Sequence, residues 1–132
     1  MSGVGVYRAP MRARDRDEPG APYGLASGLV GIGAARDRQV ERFGDVPAGS
    51  FVWTRDPDGA FFLGRIDGPL REVDGDAGIV WARDCTWQDR PFAELEVPAG
   101  VAATFARGGR NFQQVHADGI EDQTAALWDG GR

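Results

Sequence analysis

The chain has 132 residues, the size of one domain, and 42% of them are hydrophobic, enough to bury a core. All 15 basic residues are arginine and the net charge is −5, which excludes a basic protein that coats nucleic acid non-specifically. One cysteine and one histidine exclude a disulfide framework and a Cys/His zinc site within one chain.

Taken from the N-terminus, residues 1–7 lack the basic start and apolar run of a secretory signal, and Ser2 stands where myristoylation requires glycine. No stretch approaches a membrane span, so the expectation is a soluble cytoplasmic protein with no membrane partner. Val4–Arg8 reads as a short strand that stops at Pro10, and residues 11–22 read as a charged loop. Leu29–Gly33 reads as a buried strand with close backbone approach, and Ala34–Phe43 as a short helix or turn. Phe51–Arg55 and Ala60–Ile66 form a hairpin about Asp56-Pro-Asp-Gly59. Asp74–Gly78 is a second turn, with a strand resuming at Ile79–Arg83 and extending toward Cys85-Thr-Trp87.

Pro98 opens a short helix that ends at Gly108-Gly109. Asn111–His116 fits no single pattern. A last helix runs from an Asp118 cap, with Ile120, Thr124, Leu127 and Trp128 on one face and Gly130-Gly131 as its stop. The 20 Gly and 8 Pro suit many tight turns. The whole reads as one α+β domain over 1–132. A small β pseudobarrel spans roughly 4–90 with short flanking helices, and a helical extension spans roughly 97–130.

Charge is uneven: residues 1–50 sum to +1 and residues 67–100 to −5. A polyanion would therefore have to meet a local arginine cluster. Gly31-Ile-Gly-Ala-Ala-Arg36 begins like a dinucleotide fingerprint, but Arg36 replaces its last small residue and no βαβ unit surrounds it. Without lysine there is no P-loop, and the acidic turns at 56–59 and 74–78 lack the remaining ligands of a calcium loop. Cys85 reads as a half-buried small hydrophobe and His116 as a packing or hydrogen-bonding residue. No Ser stands in a nucleophile elbow, and nothing selects one carboxylate pair for acid–base work. No enzyme, metal or cofactor is expected.

Trp53, Trp81 and Trp87 lie on or beside strands, with Arg55, Arg65 and Arg83 near them. Trp53 and Arg55 share a strand face, as do Trp81 and Arg83. Flat rings beside planar guanidinium groups suit base stacking, while the alternative is Trp in the core and Arg reaching outward.

The order of motifs over residues 4–87 resembles the PUA-like (EVE/YTH/ASCH-related) small barrels, in particular the N-terminal module of some Mrr-type restriction endonucleases. The similarity rests on Val6-Tyr-Arg8-Ala9, Leu29-Val-Gly-Ile-Gly33, Phe43 with Gly49-Ser-Phe-Val52, Leu63-Gly-Arg-Ile-Asp-Gly-Pro-Leu70 and Arg83-Asp-Cys-Thr-Trp87. Ala34, Ser50 and Leu70 depart from the pattern, where the family often has Trp, Asp and Tyr. The resemblance implies a PUA-like, SH3-like pseudobarrel that binds DNA or RNA, reads a modified base and serves restriction or defence. Trp53, Trp81 and Trp87 would cage the base, with Arg55, Arg65 and Arg83 on phosphate or base edges. The rival expectation is a module without nucleic acid. It would dock a protein partner or a second copy through its acidic middle segment and the Ile120-Leu127-Trp128 face.

Overall fold

The computed structural model describes residues 4–14 and 16–130; Ser2, and Gly131 as a helix stop, lie outside the described residues. Turn chemistry sets the centre of the fold. Asp56 accepts the backbone amides of Asp58 and Ala60 on Oδ1, at 3.0 and 2.9 Å. Gly59 takes φ +92°, which a side chain would resist. That turn joins β3 (Phe51–Arg55) to β4 (Phe61–Ile66), antiparallel in the register Phe51 to Arg65.

Around the hairpin stand β1 (Val6–Arg8), β2 (Leu29–Ile32), β5 (Arg71–Glu72), β6 (Trp81–Trp87) and β7 (Gln113–Gln114). The helices are α1 (Ala21–Ser27), α2 (Asp37–Asp45), α3 (Ala99–Ala106) and α4 (Ile120–Gly130). The strand order is β2-β6-β4-β3-β1-β7, with β5 beside β6. β1 runs parallel to β3 and the other pairs are antiparallel. β6 changes partners along its length: it meets β5 at Trp81 and Ala82, then β4 at Cys85–Trp87, while β2 follows its other edge from Trp81 to Asp84. The mixed sheet curls into a half-barrel. The α+β class and the small barrel with helices are as expected at this level. The 97–130 segment is not wholly helical, because β7 joins the sheet beside β1.

Period-two alternation divides the interior. Phe51, Trp53, Phe61 and Leu63 point to one side, where α3 and α4 cover them with Val101, Ile120, Leu127 and Trp128. Val52, Ile66, Cys85, Val30 and Ile79 point to the other side, with Met11 and Phe43. Gly31 lies in close packing: an added Cβ would stand 2.4 Å from Ile79 and 3.0 Å from the Trp81 carbonyl. α1, which begins at the end of the stretch read as loop and runs through residues 23–27, for which the sequence suggested no element, starts with proline in its first turn and ends at Gly28 in the left-handed conformation.

Two arginines close helices from within. Arg8, 5% exposed, donates through Nη1 to the Thr104 and Gly108 carbonyls at the end of α3, at 2.8 and 2.7 Å. Arg83, 4% exposed, donates to the Phe43 and Val46 carbonyls at the end of α2 and through Nε to Gly68. A cation at a helix C-terminus satisfies orphan carbonyls and opposes the helix dipole. Burial pushes both guanidinium groups below their usual range, yet arginine stays charged in proteins. Among the described residues no helix is long and apolar enough to cross a membrane.

Candidate functional site

The half-barrel leaves a seam between the end of β2 and the edge strand β7. A groove of about 770 Å³ occupies it. Met11, buried at φ +52°, turns the chain after β1, and its carbonyl accepts the Gly20 amide at 2.9 Å. This turn places Arg12 and Arg14 on the rim. α2 contributes Gln39, Arg42, Phe43 and Asp45, and the segment entering β7 contributes Arg110, Asn111 and Phe112.

The floor is aromatic. Phe112 stacks on Tyr7 with ring centres 5.2 Å apart and planes 12° from parallel. Phe43 meets Phe112 edge-on at 4.9 Å. Burial pushes the Tyr7 phenol above its ordinary range, so it is a neutral hydrogen-bonding group at physiological pH.

The rim is cationic within an acidic chain. Four arginines line the groove against one carboxylate, Asp45. Two are already engaged: Arg12 donates to the Asp17 carbonyl, and Arg110 donates to the Ala13 and Arg16 carbonyls and pairs with Asp17 at 3.3 Å. The Arg110 contacts tie the loop after β1 to the segment before β7. The exposed guanidinium groups of Arg14 and Arg42 make no hydrogen bond or ion pair among the described residues. A groove of this size takes a pocket-sized ligand, and its lining suits an anion with a flat ring.

None of Trp53, Arg55, Arg65, Trp81, Arg83 and Trp87 lines this groove. Trp53 is fully buried, packed edge-on against Phe92 at 5.3 Å, with its indole N–H toward Thr124 Oγ1 at 3.5 Å. Its expected stacking on a base gives way to a core role, because α4 covers that sheet face. Arg83 likewise cannot meet a phosphate while it is enclosed by three carbonyls. Arg65 lies over the rings of Phe51 and Trp128, at 4.6 and 5.7 Å, and donates to the Gly49 carbonyl. Arg55 is exposed and pairs loosely with Glu94 at 3.9 Å. Trp81 and Trp87 are half-buried against the barrel core, Trp87 donating to the Leu29 carbonyl at 3.0 Å.

Cys85 and His116 are not brought together. Cys85 is buried and burial pushes its thiol up, whereas His116 is exposed on the groove rather than packed. Ile120, Leu127 and Trp128, the face expected to dock a partner, pack on this chain's own sheet. Among the described residues no group of three His, Cys, Asp or Glu could hold a metal ion.

No protein-family model, curated protein or solved structure matches the chain. The groove is thus characterised by its own chemistry. One signal for it lay in the sequence: the loop around Arg12 and Arg14 is dense in arginine. Its aromatic partner, Phe112, stands about a hundred residues away in the segment that fitted no pattern.

Proposed function

We propose that this chain is a non-catalytic binding module for unpaired nucleic acid, and that the groove between β2 and β7 is its binding face. One observation carries the reading. Arg14 and Arg42, without partners among the described residues, flank an aromatic floor in a chain whose net charge is −5. Guanidinium groups would take phosphates, and the Tyr7–Phe112–Phe43 cluster offers rings for a base. The groove admits an unpaired or flipped-out nucleotide rather than a duplex, whose readers instead place a helix or ribbon on the DNA. The similarity to PUA-like barrels supports a small barrel as the scaffold and extends the proposal to a modified base and a role in restriction or defence.

The test is fluorescence anisotropy with short single-stranded DNA and RNA, each with and without a methylated base, over a range of salt. Binding should appear at low salt and weaken as salt rises. Each phosphate contact to a single strand contributes roughly 0.7 to the log–log salt slope. Arg14→Ala with Arg42→Ala should therefore reduce that slope by about 1.4 and lower affinity for every sequence alike. No association at low salt would overturn the proposal.

A further inference from the structure

Asp17 does not line the groove, yet its carboxylate is held by a residue that does. Asp17 Oδ1 lies 3.3 Å from Nη2 of Arg110. Nη1 of the same guanidinium donates to the Ala13 carbonyl at 2.8 Å and to the Arg16 carbonyl. Arg12, also on the groove, donates to the Asp17 backbone carbonyl at 2.9 Å. The loop after β1 thus holds the Arg110 fork by backbone oxygens on one nitrogen and by a carboxylate oxygen on the other. The Asp17 side chain is fully exposed and makes no other hydrogen bond or ion pair among the described residues.

The two halves of this hold are not equally replaceable. Backbone carbonyls belong to the loop and keep Nη1 in place whatever Nη2 meets. An ion pair open to water contributes little to stability, so its carboxylate can give way to another oxyanion at small cost. A guanidinium fork binds phosphate oxygens as well as carboxylate oxygens. Arg14 and Arg42 have no such partner to exchange, whereas Arg110 does. We infer that Asp17 occupies a third phosphate position of the groove: a bound strand displaces its carboxylate from Arg110, and Asp17 is an internal competitor that lowers affinity. This rests on the groove being a nucleic-acid site. Arg110 is then a binding residue held in reserve by the chain's own counter-charge.

The experiment uses the full chain and labelled oligo-dT, read by fluorescence anisotropy at low salt. Asp17→Asn keeps the backbone carbonyl that Arg12 holds and removes only the competing charge. It should bind about threefold tighter than the unaltered chain, the fold-change that loss of one exposed ion pair converts to. Glu18→Gln removes the same charge one residue further on, from a carboxylate paired with Arg16 outside the groove at 3.4 Å. Its gain should be much smaller, because it acts only through solvent. The Asp17→Asn gain should vanish when Arg110→Gln is also present, since the competitor acts through that guanidinium. Should Arg110→Gln prevent folding, the comparison of Asp17→Asn with Glu18→Gln decides alone. Unchanged affinity in Asp17→Asn, with oligo-dT still bound, overturns the inference alone and leaves Arg14 and Arg42 as the phosphate contacts. An equal gain from Glu18→Gln, or a gain that survives Arg110→Gln, also overturns it, because general electrostatics would then account for the effect. No binding by either the unaltered chain or Asp17→Asn overturns the groove as a nucleic-acid site, and this inference with it.

Discussion

Arg8 and Arg83 show how a side chain's neighbours decide its role. Each is a charged residue enclosed by the fold, and each meets backbone carbonyls rather than a carboxylate. Arg83→Met should orphan the carbonyls of Phe43, Val46 and Gly68 and cost about 3 kcal/mol in urea unfolding. Arg83→Lys should recover little of this, since one ammonium cannot span the same carbonyls as a planar fork. Cys85 gives a second test at this scale. Its buried thiol should react with a thiol reagent only as fast as the chain opens, so urea should accelerate labelling in step with unfolding. Its folded-state pKa lies above the unfolded value of 9.0, so the folded form keeps a proton that the unfolded form releases. Its effect on stability is therefore nil below about pH 9 and unfavourable as pH rises beyond it.

Elements were legible in proportion to how locally they are determined. The β3–β4 hairpin could be read because Asp56-Pro-Asp-Gly59 encodes its turn within four residues. α1 was hidden because only its first two residues touch the charged 11–22 loop and its buried residues Ala21 and Gly24 have little side chain to form an apolar pattern. β7 was hidden because two polar residues make no pattern of their own and are held only by β1. Trp53 illustrates the same limit. Alternation placed it on a strand face, but only the docking of α4 makes that face interior. α4 is held at its end by the Trp128 ring against Phe51 at 6.0 Å, by Arg65 over that ring, and by Gln88, which donates to the Trp128 carbonyl at 2.8 Å. Trp128→Ala should thus cost about 2 kcal/mol, less than a fully buried tryptophan. Oligonucleotide affinity of the folded variant should stay unchanged, since Trp128 belongs to the other side of the sheet from the groove.

At the scale of the whole molecule, an acidic chain carries a cationic groove because charge is distributed. The −5 segment of residues 67–100 contributes nothing to the groove lining, whereas residues 1–50 supply Arg12, Arg14 and Arg42. The groove could not be read from sequence as a unit, because its walls come from the two ends of the chain and meet only when Tyr7 pairs with Gln114. That pairing has a measurable signature. Native-state hydrogen exchange should open the Val115 amide, bonded to the Val6 carbonyl at 2.7 Å, before the amides of the β3–β4 hairpin.

The same register fixes an order of assembly. Tyr7 and Gln114 lie 107 positions apart, whereas the hairpin strands are joined by five residues. Contacts between distant residues must await closure of the chain between them, while the hairpin can form on its own. The seam with its arginines and rings is accordingly among the last parts to take shape. During synthesis, a chain that has emerged only as far as α3 holds Arg12, Arg14 and Arg42 but no opposing wall. On the proposed function, strand binding would require both walls, and a chain that ends at α3 would not compete for the same strand.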